Sequence, residues 1–149
     1  MFSWLFPDLL PAGTLAPDFT AAGDEGRLVT LSSLRGRNVA LVFYPGDETP
    51  VCTRQLCEIR DNWSRFESAN TVVYGVNPRG AASHRAFRSN RKLPFPLLVD
   101  TGNRVAKLYR CALGGMIVRR TVYLIGPDGV IRYAKRGKPS PAEILPLAG

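Results

Sequence analysis

Apolar residues along this chain come in short unbroken runs, separated by stretches in which they recur every three or four positions. Asn38-Val39-Ala40-Leu41-Val42-Phe43-Tyr44 and Thr71-Val72-Val73-Tyr74-Gly75-Val76 lack polar alternation, the mark of strands covered on both faces. Leu28-Val29-Thr30-Leu31 reads as a shorter strand. Between the two long runs, Leu56, Ile59, Trp63 and Phe66 repeat at steps of three and four, so the spacing predicts a helix from Thr49 to about Ser68. Thr49 suits its N-cap, and Pro50 its first position, where a missing N–H costs nothing. Beyond it the pattern predicts a helix from Ala81 to Asn90, an extended segment from Phe95 to Asp100 and a short helix from Asn103 to Tyr109. Thr121–Ile125 and Val130–Ala134 flank Gly126-Pro127-Asp128-Gly129, a hairpin signal, and a last helix over 141–147 is shortened by Pro146. Parallel strand–helix units first and a hairpin last make an α/β fold, a mixed central β-sheet flanked by helices, in the order of a thioredoxin-like fold.

The 149 residues show no internal repeat, low-complexity tract or long linker, so a single domain over 1–149 is expected. An apolar share of 45% and a charged share of 21% are ordinary for a soluble globular chain. No apolar run approaches the roughly 20 residues that span a bilayer, so no membrane partner is expected. The start, Met1-Phe2-Ser3-Trp4-Leu5-Phe6-Pro7, lacks a basic leader and is interrupted soon after by Asp8 and Pro11; it does not read as a signal peptide, and the expected location is cytoplasmic. Charge is lopsided: residues 1–74 carry 6 basic and 9 acidic side chains, residues 75–149 carry 14 and 3. Arg79, Arg85, Arg88, Arg91 and Lys92 run through a helical segment without interleaved aromatics, so a solvated basic face is expected rather than a nucleic-acid site.

Three cysteines and one histidine fit neither a disulfide framework nor a zinc site, and no metal or cofactor is expected. They suggest a reducing compartment and a thiol with a task. With Thr49 as N-cap, Cys52 is the third residue of its helix, among unpaired backbone N–H groups and at the positive end of the helix dipole. Both stabilise thiolate over thiol. Asp47 and Glu48 oppose this if they point inward, so a basic partner is expected from elsewhere in the fold. Cys57 lies five positions on, with its Cα roughly 8–9 Å away in an ideal helix. Disulfides need less than about 7 Å, so the two thiols can bond only if the helix unwinds.

The segment Pro45-Gly46-Asp47-Glu48-Thr49-Pro50-Val51-Cys52-Thr53-Arg54-Gln55-Leu56-Cys57-Glu58-Ile59-Arg60-Asp61 resembles the active-site stretch of peroxiredoxins, whose shared motif Pro-x-x-x-Thr-x-x-Cys stands here as Pro45, Thr49 and Cys52. Thr-Pro-x-Cys-Thr with a second cysteine five residues on resembles the peroxiredoxin Q, or bacterioferritin comigratory protein, subgroup. Ala16-Pro17-Asp18-Phe19, Gly75-Val76-Asn77-Pro78, Ser83-His84 and Leu93–Asp100 also match. The resemblance implies that Cys52 attacks a peroxide and becomes a sulfenic acid, and that Cys57 resolves it as an intramolecular disulfide. A thioredoxin-type dithiol protein would then reduce that disulfide. Thr49 would orient the peroxide and accept its proton, and Pro45 would shield the site. The alignment of Arg120-Thr121-Val122-Tyr123-Leu124-Ile125 makes Arg120 the charge stabiliser, with Arg119 sent to the opposite face by strand alternation. The subgroup suggests a monomer. A non-enzymatic redox sensor on the same cysteines is the alternative reading. Gln55 stands where many relatives have Glu, His84 reads as a helix-start or surface residue, and Cys111 as a packed spectator thiol near Tyr109.

Overall fold

The computed structural model describes residues 8–113 and 117–148, so the stretch Met1–Pro7 read above lies outside the described residues. Strands β1 (Thr20–Gly23), β2 (Leu28–Thr30), β3 (Asn38–Phe43), β4 (Thr71–Asn77), β5 (Leu97–Val99), β8 (Thr121–Ile125) and β9 (Ile131–Arg136) form a sheet in the order β2-β1-β5-β4-β3-β8-β9. β3 pairs parallel to β4, and β4 to β5, while β8 joins the other edge of β3 antiparallel. This is the mixed sheet that the order of elements predicts. A small separate ladder joins β6 (Ala112–Leu113) to β7 (Ile117–Val118).

β3 is buried at every residue, and its side chains divide strictly by parity. Val39, Leu41 and Phe43 join one core with Val105, Ala106 and Tyr109, whereas Ala40, Val42 and then Tyr44 join the other with Cys52, Leu56, Ile59, Phe66 and Phe87. The strand thus separates two apolar layers. On one side lies α4 (Arg104–Leu108); on the other lie α1 (Pro50–Asp61), α2 (Trp63–Ser68) and α3 (Ala81–Arg91). Cys52 is therefore a member of the second core. A short α5 (Pro141–Ile144) continues as a 3-10 turn over Leu145–Leu147, which replaces the longer closing helix expected. Among the described residues, no helix is long and apolar enough to cross a membrane.

Two expectations change. The helix predicted from Thr49 to Ser68 is broken at Asn62, whose backbone (φ −113°, ψ 20°) ends α1 and begins α2. The Asn62 side chain donates to the Glu58 carbonyl (2.9 Å), the local competition by which asparagine disfavours continuous helix. The apolar rhythm runs through this break because Trp63, stacked on Phe66 and against Phe95, continues the same packed face. β1 was invisible in the pattern because Thr20-Ala21-Ala22-Gly23 carries only small side chains; pairing with β2 and β5 makes it a strand.

Gly75 of β4 shows how closely the second layer packs beneath the loop that follows β3. A Cβ there would lie 2.7 Å from Leu97 Cδ2 and 3.0 Å from Tyr44 Cε1. Both neighbours are fully buried, so Gly75→Ala overpacks the site. It is expected to destabilise the fold by about 1–3 kcal/mol, read as a lower urea midpoint with unchanged slope.

Candidate active site

The site lies where β3 ends. Tyr44 closes the strand in the core, Pro45-Gly46-Asp47-Glu48 turns, and Thr49 delivers the chain into α1. Thr49 takes the N-cap backbone (φ −74°, ψ 147°) with Pro50 following it, as the sequence predicts. Its side chain does not cap, however. The hydroxyl donates to the Gly46 carbonyl (3.3 Å), which leaves its lone pairs free to accept. The amides of the first turn lack intrahelical acceptors by position. Pro45, Thr49 and Pro50 are exposed and form the rim, while Cys52 behind them is 0% exposed.

The basic partner expected from elsewhere in the fold is Arg120. Its Nη1 lies 3.1 Å from Cys52 Sγ and donates also to Gln55 Oε1 at 3.1 Å. Gln55 is buried, its Oε1 accepts from the guanidinium, and its Nε2 has no hydrogen-bond partner among the described residues. Arg119 and Arg120 both precede β8 rather than lying in it, so strict alternation does not separate them. Both line an open hollow of about 400 Å³ with Arg136, Gly137 and Lys138, and it is Arg120 that donates to the sulfur. A hollow of about 440 Å³ between Asp24, Arg85, Arg88 and Leu93 includes none of Pro45, Thr49, Cys52 or Arg120.

Cys57 is half-buried in α1, and Cys52, Cys57 and Cys111 are free thiols. Both Cys52 and Cys57 belong to one continuous helix, so they stand apart in the way the ideal geometry requires. Cys111 is fully buried, donates to the Tyr109 carbonyl (3.2 Å), and burial pushes its thiol up to about 11. A thiol so held is protonated at neutral pH and a poor nucleophile.

Sequence reasoning missed the surroundings of Asp47. Its Oδ1 accepts from the Tyr44 hydroxyl (2.8 Å) and Asn77 Nδ2 (3.0 Å), and its Oδ2 accepts from Ser83 Oγ (2.8 Å) and faces His84 Nδ1 (2.6 Å). Burial works to raise the Asp47 carboxyl. The hydrogen bond and charge of His84, then the Tyr44 and Ser83 hydroxyls, outweigh it and hold the group below the ordinary aspartate value. His84 is fully buried, not a surface residue, although it does start a helix as read above. Glu48, by contrast, turns outward to Asn90 (2.8 Å) and Arg91 (3.1 Å). The recurring Ser83-His84 pair was the available signal; nothing in the sequence said that it meets the reacting turn.

Arg79, Arg85, Arg91 and Lys92 are exposed, as the solvated basic face read from the sequence requires, and several arginines of the second half are also paired. Arg88 binds Asp24 (3.3 Å), Arg91 binds Glu48, Arg85 donates to the Asp24 carbonyl (3.0 Å), and Arg104 to the Thr20 carbonyl (2.8 Å). These arginines tie the cationic half to the acidic one.

What this chain is similar to agrees with that geometry. The AhpC/TSA family matches residues 12–134. A peroxiredoxin Q, chloroplastic, of Oryza sativa subsp. japonica is 43% identical over 123 residues, 81% of this chain and 57% of its own length. A peroxiredoxin bcp of Coxiella burnetii is 38% identical over 133 residues, 82% of this chain and 85% of its own length. The crystal structure of peroxidoxin BcpB from Mycobacterium tuberculosis shares the fold with a TM-score of 0.85 at 27% identity, over 93% of this chain and 96% of that one. The chain spans little more than half the length of the plant relatives it matches.

Proposed function

This chain belongs to the AhpC/TSA family, on its peroxiredoxin Q and BCP branch, and from that premise we propose that it is a thiol-dependent peroxidase acting on hydrogen peroxide and organic hydroperoxides. The observation that carries the reading is the Arg120 guanidinium 3.1 Å from Cys52 Sγ, in the first turn of a helix whose N-cap is Thr49. The guanidinium and the first-turn dipole favour the thiolate, the species that attacks. The Cys52 thiolate bonds to the hydroxyl oxygen of the peroxide as the O–O bond breaks; Cys52 becomes a sulfenic acid, and the departing alkoxide or hydroxide takes a proton from solvent and leaves as alcohol or water. Thr49 Oγ1, already donating to Gly46, accepts the peroxide's hydrogen bond and so aligns it. Arg120 and the free first-turn amides bind the charge that develops on the oxygens. Pro45, exposed at the rim, narrows the approach.

Cys57 then attacks the sulfenic sulfur after α1 unwinds, expelling water and forming the disulfide. A thioredoxin-type dithiol protein reduces that bond by exchange. No metal or organic cofactor takes part. We read the enzyme as a monomer of one domain, working in a reducing compartment, the cytoplasm, without membrane or nucleic-acid partners.

The test is peroxide consumption coupled to thioredoxin, thioredoxin reductase and NADPH. The wild type is expected to turn over steadily, and Cys57→Ser to consume one equivalent of peroxide per chain and stop. A wild type that oxidises once and is recycled by no dithiol donor would instead identify a redox sensor.

A further inference from the structure

Asp47 stands five residues before Cys52, in the turn whose role above rests only on Pro45 and Thr49. Its side chain is 3% exposed and receives donors from the end of β3 (Tyr44), the end of β4 (Asn77) and the start of α3 (Ser83 and His84). His84 in turn reaches β5: its Nε2 lies 2.9 Å from the Leu98 carbonyl. A carbonyl oxygen can only accept, so Nε2 carries a hydrogen. The Asn77 amide is fixed in orientation because its Oδ1 accepts from the Arg79 N–H (2.8 Å), so Nδ2 must be the atom donating to Asp47. Asn77, Tyr44 and Ser83 all donate to Asp47, and His84 together with the Tyr44 and Ser83 hydroxyls holds its carboxyl below the ordinary aspartate value, so it is a carboxylate at neutral pH. The hydrogen between Oδ2 and Nδ1 therefore belongs to the ring. Both imidazole nitrogens donate, and the pair is an imidazolium facing a carboxylate.

An uncompensated carboxylate here would oppose a thiolate at Cys52. Tyr44 is the neighbour common to both: its hydroxyl donates to Asp47 at 2.8 Å, and its side chain packs in the same apolar core as Cys52. The remaining charged groups of the turn face elsewhere or act on other atoms. Glu48 is paired outward with Arg91, Arg79 lies over Gly46, and Arg120 is on the sulfur.

We propose that Asp47 and His84 form a neutral buried pair that positions the reacting turn: Asp47 fixes the turn carrying Thr49 and Cys52 to β3, β4 and α3, and His84 cancels the carboxylate charge so that this fixing does not disfavour the Cys52 thiolate. Neither side chain touches the peroxide, so both are positioning residues. The inference rests on Cys52 reacting as a thiolate.

Two readouts separate the charge from the fixing. The first is the pH profile of Cys52 alkylation by iodoacetamide, followed by peptide mass spectrometry. The second is the stopped-flow rate constant with hydrogen peroxide on the high-pH plateau. In His84→Gln the carboxylate loses its counter-charge, and the alkylation midpoint is expected to rise by about one pH unit. Asp47→Asn is expected to leave the midpoint near the wild-type value while slowing the plateau rate about 10- to 100-fold, the effect of a displaced reacting turn. Asp47→Asn/His84→Gln should recover the wild-type midpoint and keep the slow plateau. Lower melting temperatures with every midpoint and plateau at wild-type values would overturn the proposal, because the pair would then only stabilise the fold. If His84→Gln does not fold, the double variant still decides, since a wild-type plateau rate there overturns it. The alkylation arm needs no peroxidase activity: a midpoint that rises in His84→Gln supports the charge pairing even if no peroxide is consumed, a result that would sink the peroxidase reading alone.

Discussion

Cys52→Ser is expected to reduce peroxide consumption to the rate of buffer alone, in single-turnover and coupled assays alike. The substitution is nearly isosteric, and Cys52 is fully buried in the second core, so the fold should be retained. What disappears is the nucleophile. The thiolate is the attacking species, and the guanidinium 3.1 Å from Cys52 Sγ is placed to hold that anion. A serine hydroxyl has no comparable anionic population, and neither Asp47 nor His84 is available to it as a general base. Asp47 is occupied by four donors, and His84, with Nε2 on a carbonyl and Nδ1 on that carboxylate, has no free nitrogen to accept a proton. Cys57 and Cys111 cannot substitute, since the first lies beyond reach within an intact helix and burial keeps the second protonated. Stopped-flow oxidation at stoichiometric peroxide checks this, and fast residual consumption in Cys52→Ser would assign the reaction to another residue.

Arg120→Met is expected to slow the oxidation of Cys52 by about 10²–10³-fold, the loss typical of one preorganised donor to a developing anion. Methionine retains length and apolar bulk while removing charge and fork. Two effects coincide: the thiolate loses its 3.1 Å donor, and the transition state loses the cation nearest the splitting O–O bond. Gln55 then keeps a buried Oε1 without its donor in addition to the Nε2 that already lacks an acceptor, so a modest loss of stability should accompany the loss of rate. Arg120→Lys should restore part of the rate, because a point charge can approach the sulfur but cannot hold Gln55 and Cys52 in one plane. Rates for Arg120→Met within threefold of wild type would remove Arg120 from the mechanism.

Much of the site was legible because its signals are local. Thr49, Pro50 and Cys52 form a helix-start sequence directly after an unmistakable buried strand, and that junction alone places a thiol in a first turn. Arg120 was legible only through family resemblance, since an arginine before a strand says nothing of a sulfur 68 residues away in sequence. The Asp47–His84 contact was illegible for the same reason: it joins positions 37 apart, and the lone histidine sits amid arginines that suggested a solvated helix face. The break at Asn62 escaped because periodicity records which face is apolar, not whether the backbone beneath it is continuous.

That break has a thermodynamic consequence. α1 is a 12-residue segment with its own two ends, not the front of a longer rod, and α2 beyond Asn62 is separately anchored through Phe66 and the stacked Trp63. Melting that begins around Cys57 can therefore halt at Asn62, so that α1 opens as a small unit which withdraws Cys52, Leu56 and Ile59 from the second core but leaves α2 in place. In a cycle that pairs Cys52 with Cys57, the disulfide is then a ligand of the opened unit and the sulfenic acid waits on its spontaneous opening. Sequence changes that alter the helix propensity of residues 50–61 would set how long the oxidised sulfur stays vulnerable to a second peroxide, with no change at the sulfur itself.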